Sequence, residues 1–147
     1  MTYAGPKYRE EKTMTEDRSV GEAGVVTKLS LRPVAETVAR LTDLIGAKGL
    51  KLFAVIDQAA EARQVGMDLR ETTLMIFGSP AAGTPVMAAA PLSALDLPLK
   101  VLIWDDAGQT KVSYNATDWL AARHRLRQDL AANLAGIDAL TDALIAP

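Results

Sequence analysis

The sequence predicts an α+β domain built on a single mixed sheet of about five strands, in the order β-α-β-β-β-β-α, with short extra helices and the two long helices on one face. Three observations predict it. Short runs at 25–31, 50–56, 72–77, 99–104 and 110–114 are rich in the β-branched and large apolar residues that strands favour. Two segments, 34–45 and 126–144, repeat apolar residues every three or four positions, which lays one apolar stripe along a helix. Glycines and prolines punctuate the chain between these segments, and a small domain of such parts buries its apolar surfaces by stacking helices on a sheet.

Taken in order, residues 1–22 are polar, mixed in charge and without a hydrophobic period, so a mobile tail is expected ahead of one domain spanning 23–147. Val25, Leu29 and Leu31, completed by Thr27, mark the buried face of a first strand, with Lys28 and Ser30 turned to solvent. Pro33 suits the start of a helix whose stripe is Val34, Val38, Leu41, Leu44 and Ile45, and Gly46 and Gly49 stop it. The nearly continuous apolar run Leu50 to Ile56 reads as a central strand covered on both faces. Asp57 opens a short helix through Arg63, and Thr72 to Phe77 forms the next strand. Four prolines between 78 and 98 allow only helical turns there, starting near Thr84-Pro85 and near Pro91. Leu99–Trp104 and Thr110–Tyr114 then pair as a hairpin in which Gly108 takes a positive φ at a bulge. With Asn115 as cap, a helix starts at Ala116, and from Leu126 to Leu144 the stripe continues as one long helix, bent near Gly136.

The totals exclude several kinds of function. A chain of 147 residues, 49% hydrophobic and 23% charged, can bury roughly 70% of its unfolded surface around one core. Without cysteine it can form no disulfide, iron–sulfur or thiolate zinc site, and a single histidine, His124, leaves only carboxylates as cation ligands. No metal and no cofactor are expected. A net charge of −2 gives no attraction to a phosphate backbone, so nucleic acid is not an expected partner. No stretch approaches the ~18 apolar residues of a membrane span, and a cytoplasmic protein without membrane contact is the expectation.

Few residues look chemical, and each has an ordinary structural use. The segment from Gly78 through Gly83 and Thr84 to Pro85 follows a strand as a phosphate-binding loop would. It lacks the lysine such a loop needs after its second glycine, so Thr84 and Pro85 read better as a helix cap and first helical residue. Asp57 stands where α/β folds place catalytic carboxylates, and an N-cap needs the same residue in the same place. His124, within Arg123, Arg125 and Arg127, could act as acid or base with Asp57 or Lys100, or the basic cluster could receive an acidic partner. Lys100 interrupts an apolar strand, and Trp104 and Tyr114 on the paired strands would line an opening beside it.

Motifs spread along the middle of the chain carry a family likeness. They are Phe53 to Asp57, Ile76 to Pro80 with Gly83 to Met87, Leu95 to Lys100, Trp104-Asp105 and Tyr114-Asn115. Over about Val25 to Leu126 the chain resembles the domain-of-unknown-function family 302. The resemblance implies a strand, a helix, four strands and a helix in a TATA-binding-protein-like arrangement, and a homodimer. It implies no activity and no catalytic residues. Where the family often carries histidine after the aspartate of its Ile-Asp motif, this chain has Gln58.

The expected function is therefore that of a small binding or interaction domain rather than an enzyme. It would be dimeric through surplus apolar stripe on its last helix, and would hold a small, partly apolar ligand between sheet and helix. Gly78, Gly83, Thr84, Lys100, Trp104 and Tyr114 are its candidate ligand contacts. The alternative is a small acid–base enzyme built on Asp57, Lys100 and His124.

Overall fold

A computed structural model describes residues 19–20 and 24–147. Of the expected tail 1–22, only Ser19–Val20 falls within them; it forms strand β1, paired antiparallel with β2, and the rest lies outside the described residues. The elements that follow are β2 (Val25–Ser30), α1 (Val34–Ala47), β3 (Lys51–Asp57), α2 (Gln58–Gln64), β4 (Thr72–Gly78), α3 (Pro80–Ala89) and a 3₁₀ turn (Pro91–Leu95). After them come β5 (Leu99–Asp106), β6 (Gln109–Asn115), α4 (Thr117–His124), α5 (Gln128–Ala131), a second 3₁₀ turn (Ala132–Leu134) and α6 (Gly136–Ile145).

The fold is α+β with one sheet, ordered β1-β2-β6-β5-β4-β3. Every ladder is antiparallel, which corrects the expectation of a mixed sheet. The helical crossover α1 does leave β2 and β3 pointing the same way, but β6, β5 and β4 stand between them, and only neighbours form a parallel ladder. Equally, β3 is an edge strand rather than a central one, bonded to β4 alone. Its continuous apolar character reflects two apolar faces, not two strand neighbours.

The core lies on one face. Val26, Met75, Phe77, Val101, Ile103, Val112 and Tyr114 meet Val34, Leu41 and Ile45 of α1 and Ile137, Leu140 and Leu144 of α6. Each such side chain, fully buried, contributes about 1.5–3 kcal/mol. In β2 the buried residues are Val26, Lys28 and Ser30, whereas Leu29 and Leu31 are exposed, so the strand faces opposite to expectation. The alternation misled because the outer face of this sheet is apolar as well. Leu74 pairs there with both Ile56 and Leu102, and Ile76 with Ala54, all half-buried.

The long carboxy-terminal helix is broken into α4, α5, a 3₁₀ turn and α6. Arg125, at φ 53°, ends α4 in a left-handed conformation; its amide bonds Ala122 and that of Leu126 bonds Ala121, the paired bonds of a Schellman cap. The apolar period survives the break because its halves serve two cores. Leu126, Leu130 and Leu134 pack with Val86 and Leu120, while Ile137, Leu140 and Leu144 pack on the sheet, so no surplus stripe is left for a partner.

Local signals fared unevenly. Asp57 accepts from the Ala60 amide at 2.9 Å as an N-cap, and Pro91 opens a 3₁₀ turn. The hairpin turn is Ala107-Gly108 with both φ positive, a two-residue turn rather than a bulge. Helix α3 starts earlier than expected: Ser79 is its cap, Pro80 its first residue, and Pro85 sits inside it, because a hydroxyl followed by proline is as good a start at 79–80 as at 84–85. Asn115 ends β6 and caps nothing, and α4 begins at Thr117.

Replacing the fully buried Ile103 by alanine should cost about 2–5 kcal/mol in urea denaturation. Arg125→Gly should instead stabilise the chain by roughly 0.5–1 kcal/mol, by removing the left-handed penalty of a side-chain-bearing residue.

Candidate ligand site

Where β4 ends, Gly78 and Ser79 turn the chain into α3, and the start of β5, the first turns of α6 and the end of α1 close around the same space. The result is a hollow of about 640 Å³. Its walls are Phe53 and Phe77 of the sheet, Leu97 and Leu99 at the entry to β5, and Ile137 and Leu140 of α6. Two glycines stand in its helical walls, and both have room for a side chain. A Cβ added at Gly136 would meet nothing within 4 Å, and one at Gly83 only the Met87 methyl at 3.9 Å.

Polar groups in this wall are few and mostly engaged. Ser79 Oγ accepts from the Ala82 amide at 3.2 Å, and Asn133 Nδ2 donates to the Ala82 carbonyl at 3.0 Å. Thr84 is exposed at the rim, and among the described residues Lys48 is the one charged residue in the lining.

Of the residues singled out as ligand contacts, Gly78, Gly83 and Thr84 line this hollow, and Lys100, Trp104 and Tyr114 do not. Lys100 pairs with Ile76 on the outer face. Trp104 is also on that face, opposite Lys111, and its Nε1 donates to Ser113 Oγ at 3.0 Å. Tyr114 stands three residues from Lys111 and so points to the helices, which means the two aromatics never share a surface.

The three acid–base candidates are likewise dispersed. Asp57 caps α2, Lys100 lies on the outer face, and the His124 Nε2 is 2.6 Å from the carboxylate of Asp96. No hydrogen bond or ion pair joins Asp57, Lys100 and His124 among the described residues. Arg123 also binds Asp96, at 3.1 Å, and Arg127 binds Asp129, so two of the three arginines of the basic cluster are already paired.

A polar cluster that the sequence concealed sits under α6. Lys28 is 3% exposed, and its ammonium donates to Thr141 Oγ1 at 2.6 Å, Asp142 Oδ1 at 2.8 Å and the Asp138 carbonyl at 3.1 Å. It also lies 5.3 Å from the centre of the Tyr114 ring, whose hydroxyl donates to Asp138 Oδ1. All three ammonium protons are thereby used. The legible sign was the row Asp138, Thr141 and Asp142, three and four apart on an otherwise apolar helix. Burial, and then the Asp138 hydrogen bond, hold the Tyr114 phenol above its ordinary value, against smaller opposing effects of Thr141 and Lys28.

A folded-state value raised above that of the unfolded chain means that stability is fully present below pH about 10 and lost as pH rises through the folded value. Ultraviolet absorbance titration should show one of the three tyrosines ionising late. Tyr114→Phe should abolish that step, and Asp138→Ala should move it down while costing about 1–3 kcal/mol in urea denaturation.

Comparisons with known proteins agree with this architecture. Two curated relatives carry the name fluoride-specific ion channel FluC: FluC 1 of Brucella suis biovar 1, 38% identical over 109 residues, and FluC 2 of Brucella melitensis biotype 1, also 38% identical over 109 residues. The match takes in 74% of this chain but only 43% and 40% of those proteins, so the chain spans about two fifths of their length. The crystal structure of an uncharacterized conserved DUF302 protein from Bacillus stearothermophilus superposes with a TM-score of 0.71 over 83% of this chain and 95% of that one, at 18% identity, which speaks for the fold. A family model matches residues 26–144, nearly all of the domain and its last helix included, and the chain belongs to that family, described as domain of unknown function DUF302.

Proposed function

We propose that this chain is a non-catalytic binding module of the cytoplasm, working as a homodimer and holding a small, mainly apolar molecule in the hollow between α3, α6 and the end of the sheet. The observation that carries the reading is the hollow itself: about 640 Å³, walled by leucines and phenylalanines, with helix positions kept to glycine. Its size is that of ordinary small-molecule sites, and its few polar atoms suit orientation rather than reaction. The dispersal of Asp57, Lys100 and His124 supports binding over acid–base chemistry.

Two further observations favour a module. No helix among the described residues is long and apolar enough to cross a membrane, so a stretch like this one is not where channel relatives would cross the membrane as helices. The matched stretch makes up only about two fifths of such proteins, which fits a module joined to a larger chain. For the dimer, the supporting feature is the outer sheet face, where Leu74, Ile76, Leu102 and Trp104 stand half-buried with no partner from α1 or α6. A second copy offers the same apolar surface, as a two-fold interface requires.

Native mass spectrometry of freshly purified protein should find a retained small molecule. Gly83→Leu should expel it without loss of stability, since it fills the hollow and improves a helix interior by about 1 kcal/mol. Light scattering at micromolar concentration should give a dimer, and Leu102→Glu a monomer; a monomeric wild type would defeat the assembly part of the reading.

A further inference from the structure

We infer that the molecule held in the hollow is an amphiphilic monocarboxylate, its apolar body inside and its carboxylate at a mouth formed by Lys48 and Lys51. The inference rests on the hollow being a ligand site and adds the charge of the ligand's head.

The mouth is positive although the chain is not. Acidic residues outnumber basic ones, 18 to 16, yet among the described residues no Asp or Glu lines the hollow, and the one charged residue that does is Lys48. Lys48 follows the last turn of α1, exposed, and its ammonium makes no hydrogen bond or ion pair among the described residues. Lys51 does not itself line the hollow, but its ammonium lies against one of the wall residues. The residue pairs with Gly78 in the sheet, and its Nζ lies 4.9 Å from the centre of the Phe53 ring, itself part of the wall. No carboxylate pairs with it among the described residues either. Two cations without a partner among the described residues, beside an apolar chamber, leave a charge that an anionic head would neutralise, while the chamber favours a hydrocarbon body.

The chemistry of the head follows from what the rim lacks. A phosphate or sulfate is ordinarily held by an arginine fork or by several free amides at a helix start. Here Pro80 brings no amide to the start of α3, and the amides of Ala82 and Gly83 are taken by Ser79, at 3.0 Å and 2.8 Å to its carbonyl. Among the described residues no arginine lines the hollow. Two separate ammoniums with flexible stems match a single carboxylate.

Isothermal titration calorimetry of the full chain with decanoate, decanol and decylamine, each below its micelle concentration, tests the assignment. Decanoate should bind about five- to tenfold tighter than decanol, in keeping with two solvent-exposed ion pairs, and decylamine weakest. Lys48→Met with Lys51→Met should abolish the preference for decanoate over decanol, and Gly83→Leu should abolish binding of both. If decanol equals decanoate, or the double variant keeps the preference, the carboxylate assignment is overturned while the hollow stands as a ligand site. If none of the three binds, or if Gly83→Leu leaves binding intact, the ligand-site reading fails with it.

Discussion

The position of α6 on the sheet decides what this domain can do, and three buried or half-buried cations fix that position. Lys28 holds the middle of the helix through Thr141, Asp142 and the Asp138 carbonyl. Arg32 and Arg40 hold its end, donating to the carbonyls of Ala143, Leu144 and Ala146 at and just beyond its last turn. Packing of Ile137, Leu140 and Leu144 supplies the larger attraction but is non-directional, and would tolerate a shift along the sheet. A charge taken out of water does not tolerate it, because each lost partner leaves an ammonium or guanidinium unsatisfied at a cost of several kcal/mol. With α6 anchored at its middle and end, its first turns are left standing over the end of β4, and there the hollow opens.

That anchoring explains why the local grammar of the chain was legible and its faces were not. Asp57, Gly108 and Pro91 act within a few residues of themselves, so cap, turn and break could be read directly. Which face of β2 is buried depends on residues more than a hundred positions away. Lys28 reads as a solvent residue until Asp138, Thr141 and Asp142 are brought to it. The same non-locality governs β3, whose apolar run gives no hint of having one neighbour, and the pair Trp104 and Tyr114, which a register of Trp104 to Lys111 puts on opposite faces. A sheet with two apolar faces removes the contrast on which alternation depends.

For the candidate site, the same division applies. Gly78, Gly83 and Thr84 stood out because their segment follows a strand as a phosphate-binding loop would, and they do line the hollow. Phe53, Ile137, Leu140 and Lys48 could not have been joined to them from sequence, since they come from the sheet edge, the last helix and the end of α1. The second stripe of leucines hid in a similar way. Leu126, Leu130 and Leu134 continue the period of α6 but turn into a separate cluster around Val86, and that cluster packs α3, one wall of the hollow, against the rest of the domain.

Whether such a hollow holds or transforms its ligand turns on which polar groups retain unused capacity. A catalyst needs at least two groups free to exchange protons within reach of one another and of the ligand. Asp57 spends its carboxylate on the Ala60 amide, and His124 shares Asp96 with Arg123. The Tyr114 hydroxyl and the Lys28 ammonium are bound to α6, whose place on the sheet they secure. Inside the hollow, Ser79 and Asn133 serve the backbone of α3. What stays uncommitted among the described residues around the hollow is the charge of Lys48 and Lys51, the exposed Thr84 at the rim and the apolar wall behind them, and in the proposed reading these select and retain a molecule.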